Sequence, residues 1–248
     1  VIDAANFSIS YASGLMNICM AVEPNPATGH IAVVGTDASN EVRFEPNLNG
    51  VFVRVKLAMV DPLNLTKTIA DLNPHLDYTS PSVPPVERAK SIGDPRAIAW
   101  SSDGARGYIA GMGSRNVVAI DANGARLPQP TIEVGEGPCG LALDETRGRL
   151  YVYHRFASSL SVVDASSHQV QSIVRLFDPT PLTVSAGRRH LYDTRRTSGA
   201  GQVSCASCHV DARMDRLGWD LGNPAGDSSN PLVNHQGTLV TNTFHPMK

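Results

Sequence analysis

The sequence predicts a mainly β fold in which short strands recur in repeated units, followed by a small domain that is α-helical and rich in loops. Three observations support this prediction: a repeat with a period of 43 residues, turn clusters between short apolar runs, and a change of composition after residue 192. With 42% hydrophobic and 18% charged residues, the 248-residue chain has the composition of a globular protein. It can therefore bury a core.

The repeat is clearest between residues 93–122 and 136–165, which align without a gap so that Pro95 falls on Pro138. Each copy holds three short runs rich in β-branched and aromatic residues, and a fourth run follows after a further turn. Four strands in this length are typical of one β-propeller blade, which takes about 40 to 45 residues. A β-sandwich with coincidental similarity is the alternative.

Weaker copies of the unit flank this pair. Residues 1–5 match the end of a preceding blade, and residues 17–62 repeat the strand order around an insertion. Pro181 lies 43 residues after Pro138, so the unit is predicted to restart there, whereas the proline-rich residues 63–92 are predicted to form a loop extension. We expect residues 1–192 to be nearly all β. They hold about 4.5 units, so the β-propeller is expected to be incomplete, since closed propellers usually have about 4 to 8 blades.

A second domain is predicted at residues 193–248. The strand rhythm stops there, turn-forming residues become frequent, and residues 210–218 are the one plausible helix. We expect this domain to continue beyond Lys248.

The sequence Cys205-Ala206-Ser207-Cys208-His209 matches the attachment signature of a c-type haem. Two thiols at this spacing react with the two vinyl groups of one porphyrin, and the following imidazole is then held at the iron as its proximal ligand. The motif therefore predicts covalent haem c bound by Cys205, Cys208 and His209, in a small cytochrome c domain.

Other uses of these cysteines are weaker. A structural zinc site needs a second Cys or His pair at matching spacing, but Cys19 and Cys139 are single and distant in the sequence. A thioredoxin-like motif belongs in a βαβ setting, which the sequence does not indicate. A local disulfide between Cys205 and Cys208 remains open, although it leaves the histidine unexplained.

A sixth iron ligand would come from Met or His. Met247, 38 residues after His209, is the first candidate for this distal position, and His235 is the alternative. Either would complete the metal coordination that His209 begins.

Residues 187–209, GRRHLYDTRRTSGAGQVSCASCH, resemble the beginning of the haem domain of bacterial dihaem cytochrome c peroxidases and their MauG-like relatives. Residues 234–238, NHQGT, are similar to a piece further along such domains. The repeats resemble the YVTN type of β-propeller. Together they resemble bacterial proteins that join a YVTN-type propeller to a peroxidase-like cytochrome c domain. Those peroxidases carry two CxxCH motifs, whereas this sequence holds one.

Two functions follow as expectations. The first is electron transfer through haem c, with the propeller as a scaffold that docks a redox partner protein or another haem domain, or that builds an oligomer or larger assembly. The alternative is a haem peroxidase or oxidase of the dihaem type. The resemblance also implies a possible Ca²⁺ site, for which Asp211, Asp215 and Asp220 are the candidates. Because covalent haem attachment takes place outside the bacterial cytoplasm, we expect a periplasmic or extracellular location.

Charge and hydropathy exclude other classes of partner. The formal net charge is −2 and no long run of one sign occurs, so nothing predicts binding to nucleic acid or to an anionic membrane surface. No run approaches the roughly 18 uninterrupted apolar residues of a transmembrane helix.

Overall fold

The computed structural model of the protein describes residues 1–38, 52–80, 82–213, 215 and 217. Within these ranges the chain forms three four-stranded antiparallel sheets and a few short helices. In each sheet the strands lie side by side in sequence order. The prediction of a mainly β fold is therefore confirmed.

The first sheet is built by the weaker repeat copy near the N-terminus. The predicted insertion falls between its second and third strands, and most of the insertion lies outside the described residues. The strands of the first sheet are β1 (Ile18–Pro24), β2 (Ile31–Ala38), β3 (Val53–Val60) and β4 (Lys67–Asp71).

The middle sheet and the last sheet are built by the two clear repeat copies. The first three strands of the last sheet each begin 43 residues after their counterparts in the middle sheet, which confirms the repeat and its register. The strands of the middle sheet are β5 (Pro95–Trp100), β6 (Arg106–Gly111), β7 (Asn116–Asp121) and β8 (Ile132–Glu133). The strands of the last sheet are β9 (Pro138–Asp144), β10 (Arg149–His154), β11 (Ser159–Asp164) and β12 (Val170–Arg175).

The aspartate that closes the third run of each repeat has one local role. Its Oδ1 accepts a hydrogen bond from the backbone N–H two residues later, which is an Asx turn that helps to reverse the chain. The four pairs are Asp3 with Ala5 at 2.8 Å, Asp61 with Leu63 at 2.8 Å, Asp121 with Asn123 at 2.9 Å, and Asp164 with Ser166 at 3.0 Å.

The middle sheet is buried on both faces, because β5 contacts both β1 and β9. Successive side chains of a strand point to opposite faces. In β6, Ile109 therefore packs toward the first sheet while Tyr108 and Ala110 pack toward the last sheet. This explains why β6 and β7 have no polar face in the sequence. Each large side chain buried in this way stabilises the fold by about 1.5 to 3 kcal/mol.

The two outer sheets differ in how their remaining faces are covered. On the first sheet, Val33, Ala58 and Val60 pack against the segment 12–16. On the last sheet, the face turned away from the middle sheet is partly open, with Tyr153 41% exposed and Val174 48% exposed. Tyr153 is the repeat equivalent of Ala110, which the middle sheet buries against the last sheet. Val174 is a neighbour of Tyr153, since both residues pair with Leu160.

The prediction that the unit restarts as a strand at Pro181 is wrong. Pro181 precedes a helix, α2 (Leu182–Tyr192), which carries Arg189 and His190 in its last turn. Proline fits the start of a helix as well as the start of a strand, because no backbone N–H is needed there. Basic residues near the carboxyl end also favour a helix through its dipole. Residues 1–192 are thus less purely β than expected.

The loop predicted at residues 63–92 is also only partly correct. It contains the edge strand β4 and a short helix, α1 (Pro85–Ala89), with proline in its first turn. Proline is favoured at that position, so the proline-rich composition did not exclude a helix. The third helix, α3 (Thr194–Thr197), is capped by the Asp193 side chain, which accepts hydrogen bonds from two backbone N–H groups.

No helix in the described ranges is both long and apolar enough to span a membrane.

A buried histidine links the last two sheets and makes stability depend on pH. His154 is fully buried on β10; its Nδ1 lies 3.0 Å from Ser159 Oγ, and its Nε2 accepts a hydrogen bond from Gly135 N–H at 3.3 Å. Burial lowers the pKa of His154 to about 4. Since an unfolded histidine titrates near about 6.5, the stability contributed by neutral His154 is complete above that pH and is lost as pH falls toward 4.

We therefore expect His154→Gln to flatten the fall in unfolding free energy between pH 6.5 and pH 4. The wild-type slope should exceed that of the variant by up to about 1.4 kcal/mol per pH unit. Urea unfolding at a series of pH values measures it, with His190→Gln on the exposed face of α2 as the control. Parallel wild-type and His154→Gln curves would contradict the assignment.

Candidate functional site at the cysteine segment

The CxxCH motif forms a tight turn. Cys205–Ser207 is a 3-10 helix, His209 N–H donates to the Cys205 carbonyl at 2.9 Å, and Ser204 N–H donates to Ser207 Oγ at 3.0 Å. Side chains three residues apart eclipse one another in a 3-10 helix. We therefore expect Cys205, at the start of the turn, and Cys208, at its C-cap, to lie on the same side. A single planar group with two reactive edges needs this arrangement.

The two thiols have different surroundings. Cys205 is exposed, whereas Cys208 is only 5% exposed and packs in an apolar cluster with Val53 and Val203. Burial, with smaller contributions from Asp215 and Cys205, raises the pKa of Cys208 to about 12. Cys208 thus presents its sulfur from an apolar environment, whereas the sulfur of Cys205 faces solvent.

Pairing among the cysteines is absent from the structure. Cys19, Cys139, Cys205 and Cys208 are all free thiols, so the local disulfide is not formed. Within the part of the chain that is described, no three His, Cys, Asp or Glu side chains come together in a group that could hold a metal ion.

His209 follows the turn and is half-buried. Its imidazole makes no hydrogen bond or ion pair with any residue whose position is described. The residues immediately after it border an open cleft of 590 Å³. The cleft is lined by Asn17, Ile18 and Cys19 at the start of β1 and by Val210, Asp211, Arg213 and Asp215 beyond the motif. His209 thus directly precedes the residues that line this cleft.

Upstream of the motif, the chain is anchored on the sheets by buried polar groups. Gln202 Nε2 donates to the Val53 carbonyl at 2.8 Å, and its Oε1 accepts from Asn73 Nδ2 at 3.2 Å. The Ala200 carbonyl accepts from Ser91 Oγ at 2.6 Å, and Thr194 N–H donates to the Gly113 carbonyl at 3.0 Å. The cysteine segment therefore lies directly on the first and middle sheets.

We expect Gln202→Ala to destabilise the protein by about 1 to 3 kcal/mol, because the Val53 carbonyl and the Asn73 amide would lose buried partners. Thermal unfolding measures the loss. Gln129→Ala serves as the control for removal of a glutamine, since it lies at the border of a surface groove. Equal stability of Gln202→Ala and wild type would show that this anchor contributes nothing.

Downstream of the motif, Arg96 at the start of β5 connects to the segment. Its Nη1 lies 3.2 Å from Asp211 Oδ1, and its Nε donates to Asp94 Oδ1 at 3.3 Å. Asp94 is fully buried, and burial raises its pKa to about 6. The neighbouring Arg96 cation opposes that rise.

Some of the other predicted ligands line the cleft, and the rest lie outside the described residues. Met247 and His235, the two candidates for the distal iron position, lie outside the described residues, as does Asp220. Of the Ca²⁺ candidates, Asp211 and Asp215 line the same cleft, and Asp211 is paired with Arg96.

Sequence reasoning missed Gln202, Arg96 and Asp94. Nothing local in the sequence marks Gln202, because its partner Val53 is 149 residues away. For Asp94 and Arg96 a signal was present, since the repeat alignment places them opposite Gly137 and Cys139.

Comparison with known proteins identifies no family for this chain. No protein family and no curated protein matches its sequence. Among solved structures, hydrazine synthase from Kuenenia stuttgartiensis is 16% identical, with a TM-score of 0.47 over 60% of this chain and 46% of its own. AztD from Citrobacter koseri is 12% identical, with a TM-score of 0.38 over 62% of this chain and 34% of its own. The chain thus spans less than half of either structure, and these partial likenesses carry no argument about function.

Proposed function

We propose that this chain is an electron-transfer module of the c-type cytochrome kind, with haem c bound covalently by Cys205 and Cys208 and with His209 as the proximal iron ligand. The observation that carries the proposal is the CxxCH turn itself. Its two cysteines are free thiols three residues apart on one turn, and its histidine is unpartnered within the described chain and directly precedes the residues of an open cleft. When bound, haem iron takes up and releases one electron at a time.

The polypeptide contributes attachment and position. Cys205 offers an exposed sulfur, while Cys208 supplies the second sulfur from an apolar wall that excludes water. The Gln202 and Thr194 contacts hold the segment on rigid sheets. A fixed ligand geometry reduces the rearrangement that accompanies a change of charge, which suits repeated electron transfer.

The three sheets then serve as the scaffold. We propose that they are consecutive blades of an incomplete YVTN-type β-propeller, because the middle and last sheets repeat with a period of 43 residues and all three sheets have the same strand order. A stack of this kind presents broad, rigid surfaces to a redox partner protein or another haem domain, outside the bacterial cytoplasm.

Absorption spectroscopy of protein produced together with a haem-attachment apparatus tests the proposal. We expect a c-type alkaline pyridine spectrum, a low-spin oxidised form and reversible one-electron reduction without consumption of peroxide. A high-spin band together with peroxide turnover would instead favour the dihaem peroxidase type of enzyme. An absence of any haem spectrum would contradict both.

A further inference from the structure

The contact between Arg96 and Asp211 is specific to the middle sheet. Arg96 is 13% exposed, and it bridges the buried Asp94 to Asp211, which lies two residues after His209. Asp94 Oδ2 has no hydrogen-bond partner among the described atoms, so Arg96 supplies the main compensation of this buried charge. An arginine held in this way presents its remaining N–H groups in a fixed direction.

The last sheet shows what a unit of this repeat needs at these positions. The equivalent of Asp94 is Gly137, and both have left-handed backbones, with φ of 51° and 74°. That conformation costs a residue other than glycine about 1 kcal/mol or more. The presence of aspartate at position 94 is therefore explained by the contacts of its side chain and not by a requirement of the backbone.

Arg96 itself stands in a β-bulge. The register of β5 against β6 shifts between Pro95 and Ala97, and the matching shift in β9 leaves Cys139 as the bulge residue. Bulges turn a side chain away from the ordinary strand direction and recur near functional sites. Both sheets thus have a bulge residue at this position, which is the cation Arg96 in the middle sheet and the neutral Cys139 in the last sheet.

Backbone hydrogen bonds fix Gly93 and Asp94, from which this contact begins. The Asp94 carbonyl accepts from Met112 N–H at 2.9 Å, and the Gly93 carbonyl accepts from Gly113 N–H at 3.1 Å. At the other end, Asp211 also has a left-handed backbone, with φ of 51°. The ion pair with Arg96 favours this conformation of Asp211, which is less common for residues other than glycine.

We propose that Arg96 is a positioning residue that fixes the His209–Arg213 segment on the middle sheet through Asp211, and that Asp94 holds Arg96 in place for this purpose. This inference rests on the proposed function only in the role that it gives to His209. Gln202 secures the motif on its upstream side and Arg96 secures it on its downstream side, so the imidazole is held between two fixed points.

Hydrogen exchange of protein produced without haem attachment tests the contact directly. His209 N–H donates to the Cys205 carbonyl and Arg213 N–H to the Val210 carbonyl, so their exchange reports on opening of the segment and of its junction with the CxxCH turn. We expect Asp211→Asn to accelerate exchange at residues 209–213 about fivefold relative to β6, as for loss of one partly exposed ion pair. The double variant Asp94→Gly/Arg96→Met should do the same, because it restores the glycine of the repeat and leaves no buried charge unpaired.

Two further variants separate positioning from general stability. Arg96→Lys keeps a cation beside the buried Asp94 but lacks the planar fork that reaches Asp94 and Asp211 together, so it should accelerate exchange at residues 209–213 about as much as Asp211→Asn does. Arg147→Met breaks the surface pair with Asp144 on the last sheet and should leave residues 209–213 unchanged. In the haem-loaded protein, Asp211→Asn should shift the reduction potential of the iron without loss of the attached haem.

Unchanged exchange in both Asp211→Asn and the double variant would overturn the inference, as would equal acceleration in the segment and in β6. If wild-type protein takes up no haem while the exchange differences hold, the proposed function fails but the contact stands.

Discussion

Replacement of both Cys205 and Cys208 by alanine is expected to abolish covalent haem entirely. Each thioether needs its own sulfur, and the two cysteines lie three residues apart on the same turn. Pigment left after expression should then be removed completely by acid-acetone extraction, which absorption spectroscopy of the protein fraction detects.

The chain contains its own control for this experiment. Cys19 on β1 and Cys139 on β9 are also free thiols, but neither belongs to the CxxCH turn. Cys19→Ala/Cys139→Ala should keep the full pigment. Pigment that survives extraction from Cys205→Ala/Cys208→Ala, or is lost from the control variant, would contradict the assignment.

Tyr108→Ala is expected to destabilise the fold by about 3 to 5 kcal/mol. Tyr108 is 2% exposed between the middle and last sheets, so its removal leaves a cavity that the stacked sheets cannot close. Its hydroxyl also contacts the Ala165 carbonyl at 3.4 Å across the interface. Urea unfolding measures the loss.

Tyr151→Ala is the matched control, since Tyr151 is the same residue type at the equivalent position of the last sheet, on its partly open face. There the expected loss is about 1 kcal/mol or less. Equal losses at Tyr108 and Tyr151 would show that the two sheets are not stacked in the order described.

The repeat made much of the fold predictable. Because Pro95 and Pro138 fix one register, the first residues of β5, β6 and β7 reappear 43 residues later, and the Asx-turn aspartates mark the turn after the third strand. Pro181 shows where this reasoning fails. A proline at the repeat position suits a strand and a helix start alike. The residues after it do not settle the choice, because Thr183, Val184 and Gly187 are weak helix formers.

The chemistry of the site was predictable and its placement was not. Cys205, Cys208 and His209 identify themselves by local spacing, which the sequence displays directly. The contacts of Gln202 with Val53 and of Arg96 with Asp211 join residues more than a hundred positions apart. Such contacts depend on how the sheets stack. The repeat alignment places Asp94 opposite Gly137, and this difference was the sign in the sequence that the middle sheet makes an additional contact.

The mass of the intact wild-type protein, produced together with a haem-attachment apparatus and extracted with acid-acetone, tests the central claim most directly. The account predicts the mass of the polypeptide plus one haem, with the added mass located in the peptide that contains residues 205–209. The mass of the polypeptide alone would contradict it.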